Sequence, residues 1–146
     1  MIRSFFKVTS EWTVLRRYLV SAKDIPQIPQ LTFSQVKDEL DKKNTVLIDV
    51  REKGELSSDG KIKESYNIPL GEVESAFHLD EANFRKLYGF DKPLPSQKNL
   101  NLIIHCKAGV RAMKAAVVLN LAGYQNVRVY DGILDWLSNG GEVVKK

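Results

Sequence analysis

The apolar run Asn101-Leu102-Ile103-Ile104-His105-Cys106 gives way within four residues to a helical pattern, Arg111-Ala112-Met113-Lys114-Ala115-Ala116-Val117-Val118-Leu119-Asn120-Leu121-Ala122. The run is too short for a helix and reads as a strand buried on both faces; Gly123 supplies the stop for the helix that follows. A second run, Thr45-Val46-Leu47-Ile48-Asp49-Val50, is β-branched and just as apolar. Buried strands that turn straight into helices belong in a parallel sheet covered on both sides, so the expected fold class is α/β, a central, mostly parallel sheet with helices on both faces. The other segments agree. Two prolines in Ile25-Pro26-Gln27-Ile28-Pro29-Gln30 predict an extended linker into an edge strand. Thr32 and Gln35 have capping-box spacing for a helix over 33–42. A loop rich in Gly, Ser and Asp is expected over 54–60, a short helix over 70–76, and a helix capped by Asp80 reaching Tyr88. Pro93 and Pro95 break the chain before the Cys106 strand, and a last strand over 127–130 leads to a last helix over 133–139.

Cys106 is the single cysteine, and it stands where the apolar run ends. In a strand-to-helix loop, backbone N–H groups can converge on its sulfur above the positive end of the helix. That setting favours a thiolate, the nucleophilic form of sulfur, and would equally stabilise a second anionic sulfur carried on it. Gly109 permits the positive φ of a tight anion-cradling turn. Lys107 and Arg111 add cationic charge, and Arg111 offers a planar fork to an oxyanion face. His105 alternates with Cys106 along the strand, so its side chain is expected on the opposite face in a structural role.

Several motifs together resemble one family. His105-Cys106-Lys107-Ala108-Gly109-Val110-Arg111 has four residues between Cys and Arg, where tyrosine-phosphatase-type loops have five, and the shorter loop resembles the active loop of rhodaneses, the thiosulfate sulfurtransferases. Val46-Leu47-Ile48-Asp49-Val50-Arg51-Glu52, Ser65-Tyr66-Asn67-Ile68-Pro69-Leu70, Tyr124-Gln125-Asn126-Val127, Tyr130-Asp131-Gly132, Trp136 and Gly140-Gly141 look like further landmarks of that family in order and spacing, covering residues 31–143. The likeness is strongest to single-domain mitochondrial members of the fungal type. One departure is Gly60-Lys61-Ile62-Lys63-Glu64-Ser65, which lacks the family's usual Pro-Gly turn.

The resemblance implies a rhodanese-like fold and sulfur transfer from thiosulfate through a persulfide on Cys106 to cyanide or a thiol such as glutathione, without a cofactor. It makes Cys106 the catalytic residue, and Lys107, Ala108, Gly109, Val110 and Arg111 the substrate-binding loop, with Arg51 either helping to bind an anion or held in a salt bridge. For Asp49 a structural ion pair is expected. Two alternatives stay open: a cysteine-dependent phosphatase or arsenate reductase, suggested by the words His-Cys-x-Ala-Gly, and a relay module that receives persulfide sulfur from a partner protein.

Charge and composition narrow the rest. A 146-residue chain with 43% hydrophobic and 27% charged residues fits one soluble domain. The net charge of +4 suggests nucleic acid, yet Arg3, Lys7, Arg16, Arg17 and Lys23 against Glu11 and Asp24 place +3 of it in residues 1–25. The body has no basic stripe, so no nucleic-acid partner is expected. No apolar run reaches the roughly 20 residues of a membrane span, and one cysteine with two histidines gives no metal-ligand spacing. Phe5, Val8, Trp12, Leu15 and Leu19 share one helical face in a basic, Ser/Thr-bearing segment. Residues 1–24 are therefore expected to be a mitochondrial transit peptide, ahead of a single domain over 25–146.

Overall fold

The computed structural model describes residues 26–145, so the transit-peptide expectation for residues 1–24 lies outside the described residues. The chain runs β1 (Gln30–Leu31), α1 (Phe33–Leu40), β2 (Thr45–Asp49), α2 (Lys53–Asp59), β3 (Ser65–Asn67), a 3-10 turn (Leu70–Glu72), α3 (Val73–Ala76), α4 (Glu81–Tyr88), β4 (Asn101–Cys106), α5 (Val110–Leu121), β5 (Val127–Gly132) and α6 (Ile133–Ser138). The five strands form one sheet in the order β1-β5-β4-β2-β3, every pair parallel.

Alternation along the strands divides the core into two layers. Ile48, Val50, Leu102, Ile104, Cys106, Val127 and Val129 point to one face, where Val73, Ala76, Phe84, Ala112, Ala115, Ala116 and Leu119 from α3, α4 and α5 cover them. Leu47, Ile103 and Tyr130 point to the other, under Val36, Ile133 and Trp136 of α1 and α6. β4 lies at the centre of the sheet with every residue buried, which is why its sequence runs apolar on both faces instead of alternating. Among the described residues no helix is long and apolar enough to cross a membrane.

Local chemistry sets the element boundaries. The expected capping box at α1 is formed: the Gln35 N–H donates to Thr32 Oγ1 at 3.2 Å, and the Thr32 N–H donates to Gln35 Oε1 at 2.9 Å. Asp80 caps α4 by accepting from the Asn83 N–H at 2.8 Å. Of the segment 54–60, expected as a loop, residues 54–59 are instead helical, within α2, with Leu56 buried and Gly60 as the C-cap. Its Gly and Ser content hid a first-turn acid, Glu55, which the positive end of a helix stabilises. Where the Pro-Gly turn is missing, Lys61 forms an antiparallel bridge to Val144, and Ser65 Oγ donates to the Ile62 carbonyl at 2.8 Å, closing the turn without proline.

Candidate active site

β4 delivers Cys106 to the carboxyl end of the sheet, where open α/β sheets place their ligands. The pairing of β4 with β5 slips just there: His105 stands opposite Tyr130, but Cys106 stands opposite Gly132. Asp131 is thus the extra residue of a bulge, a device that re-aims the chain near functional sites. The bulge carries the Asp131 carbonyl oxygen to 4.0 Å from Cys106 Sγ. Gly132, at φ 129°, lies against the Cys106 main chain.

The sequence then turns at Gly109, whose φ of 108° strongly favours glycine. A Cβ there would also meet Asp131 Oδ1 at 3.0 Å. The turn aims the Gly109 N–H at Cys106 Sγ, 3.1 Å away, and the first turn of α5 adds the Ala112 N–H at 3.4 Å. N–H groups at a helix start lack intrahelical partners and carry the positive end of the dipole, so an anionic sulfur is the group they satisfy. Cys106 itself is buried among its loop amides and the α5 side of the core.

The expected binding residues divide into three groups. Lys107, Ala108 and Val110 lie exposed along the outer edge of the loop, and the Lys107 carbonyl anchors it by accepting from the Leu134 N–H of α6 at 3.2 Å. Gly109 contributes the amide and the turn. Ala112, whose amide completes the sulfur's contacts, was outside the expected set because a backbone donor leaves no mark in the identity of its residue. Arg111 stands in the first turn of α5, and its fork is occupied. Nη1 donates to Glu55 Oε2 at 2.7 Å and Nη2 to Glu55 Oε1 at 3.0 Å. Those hydrogen bonds hold the Glu55 carboxyl at about 2, and the same contact raises Arg111 above its ordinary range. Glu55, 56 positions away in the chain, is the side chain that sequence reasoning missed; only its three-residue spacing from Glu52 hinted at a helix start.

Arg51, expected either to help bind an anion or to sit in a salt bridge, is fully buried: Nη2 donates to Asp49 Oδ2 at 2.8 Å and to the Gly60 carbonyl at 2.9 Å, and Nε donates to Asp49 Oδ1 at 3.1 Å. Its charge is met by the Asp49 carboxylate two residues back, with Asp59 Oδ2 3.9 Å from Nη1, and its donors fix the end of α2. His105 is buried beside this pair, with Nε2 3.6 Å from Asp49 Oδ2 and Nδ1 3.2 Å from the Cys106 carbonyl oxygen. Burial holds its imidazole below the ordinary value, so it stands neutral under the active loop.

A sulfur cradle of two amides at a helix start, on the middle strand of a parallel sheet, matches known proteins. The family profile described as "Rhodanese-like domain" matches residues 32–139. The mitochondrial thiosulfate sulfurtransferase RDL2 of Saccharomyces cerevisiae is 38% identical over 135 residues, spanning 90% of this chain and 85% of the relative. The human thiosulfate:glutathione sulfurtransferase is 31% identical over 110 residues, spanning 75% of this chain and 93% of the relative. The solved structure of the human single-domain sulfurtransferase TSTD1 superposes with a TM-score of 0.71 at 28% identity, covering 79% of this chain and all of that one. The architecture, the loop and the matched span give one conclusion: the chain belongs to the rhodanese-like domain family and is a sulfurtransferase, similar to single-domain members of that family.

Proposed function

We propose that the protein moves the outer, sulfane sulfur of thiosulfate to a thiol acceptor through a persulfide on Cys106. The observation that carries this reading is the pair of N–H donors, from Gly109 and Ala112, aimed at one sulfur atom. The Cys106 thiolate attacks the outer sulfur of thiosulfate; the bond to the sulfonate sulfur breaks, and sulfite leaves with the electron pair. The outer sulfur stays on Cys106 as an anionic persulfide within reach of the loop amides, which act as preorganised donors. An acceptor thiolate then attacks that outer sulfur, and the electron pair returns to Cys106 Sγ. Splitting one transfer into two in this way is covalent catalysis with ping-pong kinetics. Exposed Lys107 draws anionic donors to the rim.

The name of the human relative supports glutathione as the acceptor. RDL2 is mitochondrial by name, which together with the basic segment over residues 1–24 supports a mitochondrial home and an import role for that segment. Phosphatase or arsenate reductase chemistry is disfavoured because Arg111, the residue that would clamp a tetrahedral oxyanion, is already bound to Glu55.

The test is intact-mass measurement after incubation with thiosulfate, with Cys106→Ser in parallel. The expected result is a gain of one sulfur atom on the native protein alone, discharged by glutathione or cyanide. No gain while Cys106 still alkylates would overturn the thiosulfate reading; loading only from a persulfidated protein donor would identify a relay.

A further inference from the structure

The bidentate contact between Arg111 and Glu55 has the geometry an arginine otherwise gives to a phosphate or sulfonate, two parallel N–H···O bonds to two oxygens. An internal carboxylate therefore occupies the place of an external oxyanion. It is held from its own side as well, since Glu55 Oε2 accepts the Glu52 N–H at 3.0 Å. Neither partner is sealed: the side chains are 30% and 28% exposed, so a solute anion can reach the pair and compete for it. To do so it must displace a carboxylate fixed by hydrogen bonds on both sides, at a centre whose charges already cancel. The amide donors at Cys106 are under no such restriction and remain directed at a single sulfur.

We propose that Glu55 is a positioning residue that acts through Arg111, holding its guanidinium fork so that the loop excludes free oxyanions and does not retain the sulfite it releases. A loop whose sequence resembles a phosphatase cradle is thereby kept from binding phosphate or sulfate, and its grip falls on the sulfur that stays on Cys106. The kinetic part of this inference rests on the sulfur-transfer reading; the binding part does not.

The experiment is calorimetric titration of the purified chain with sulfate and with phosphate, alongside thiosulfate kinetics, for native protein, Glu55→Gln and the double variant Glu55→Gln/Arg111→Gln. Freeing the fork in Glu55→Gln is expected to tighten sulfate binding about tenfold, the scale of one charge-assisted hydrogen bond. The KM for thiosulfate should fall while kcat does not rise, a split that loss of packing alone would not produce. The double variant replaces one neutral pair by another and should bind sulfate within about threefold of the native protein. Unchanged or weaker sulfate binding in a folded Glu55→Gln would overturn the inference. If that single variant does not fold, a double variant that loses more than about fivefold in sulfate affinity would overturn it, because Arg111 would then be gripping the anion in the native protein. Tighter sulfate binding in Glu55→Gln, combined with a native protein that takes up no sulfur, would keep the exclusion role and reject the transfer reading.

Discussion

Gly132 lies so close to Cys106 that a Cβ at position 132 would stand 1.8 Å from the Cys106 carbonyl oxygen and 2.5 Å from its carbonyl carbon. Both are backbone atoms of the central strand, and φ at 132 is 129°, a region that L side chains rarely adopt. Gly132→Ala must therefore push β5 off β4 at the point where the bulge sets the Cys106 loop. The expected cost is about 3 kcal/mol or more, from backbone strain and overpacking together. Urea denaturation should show this loss, and residual folded protein should load sulfur from thiosulfate more slowly. An unchanged urea midpoint would mean that β5 moves aside freely.

Three titrations weaken the fold in acid: those of His105, of Glu55, and of Glu39, whose carboxyl is held below its usual range, against the cost of burial, by hydrogen bonds from Lys42 and Arg128. Burial holds His105 below its ordinary value of 6.5, so the unfolded chain takes up a proton that the native chain refuses, and stability declines as pH drops below 6.5. The hydrogen bonds from Arg111 hold Glu55 at about 2 against 4.5; that contribution is complete above 4.5 and is lost as pH falls towards 2. With Glu55 28% exposed, solvent screening reduces it to about 1–2 kcal/mol. Stability measured by urea should be flat from pH 6.5 to about 9, below the tyrosine range, and fall in two legs towards acid, and Glu55→Gln should make the second leg shallower, leaving the share of Glu39 and the whole of the first leg. A native-like second leg in Glu55→Gln would assign that acid sensitivity elsewhere.

The parts of this molecule that could be read from sequence are those whose signal is local. The strand ending at Cys106, the turn at Gly109, the Thr32–Gln35 box and the Asp80 cap each depend on residues within a few positions of one another. What stayed hidden depends on distant pairing. Glu55 meets Arg111 across 56 positions, and the bulge at Asp131 exists only in the register between β4 and β5. Arg51 was legible as a charge near the loop end of the sheet, but not as one turned back into the core, because burial of a guanidinium is decided by its partners, Asp49 and the Gly60 carbonyl. Composition misled over 54–60, where Gly and Ser outweighed the helix-start acids.

Arg51→Leu tests the buried pair. The substitution leaves Asp49 as an uncompensated carboxylate with no exposed surface, and the Gly60 carbonyl loses a donor. Removing one partner of a buried pair costs about 3–5 kcal/mol. Removing both in Arg51→Leu/Asp49→Leu should recover a large share of that loss, since much of it is the cost of the stranded charge. A double-mutant cycle by urea denaturation checks this. Additive losses would show that Arg51 acts by packing instead of by pairing with Asp49.

The adjacent glycines at 140 and 141 are expected to separate two kinds of strain. Gly140 has φ 82° but open space around its missing side chain, so Gly140→Ala should cost only the left-handed backbone penalty, about 1 kcal/mol. Gly141 has the reverse problem. A Cβ there would fall 2.4 Å from Trp136 Nε1 and 2.5 Å from Cε2, and the indole cannot yield easily: it is buried, its Nε1 donates to the Glu142 carbonyl at 2.8 Å, and its ring centroid is 5.1 Å from that of Phe33. Gly141→Ala should break the indole hydrogen bond and cost about 2–3 kcal/mol. Thermal denaturation should rank 141 well below 140, and tryptophan emission should shift in the 141 variant alone. Equal losses without a spectral shift would mean that the end of the chain from Gly140 onward swings clear of the indole, and that Trp136 is held by the α1 side of the core and not by the backbone that follows it.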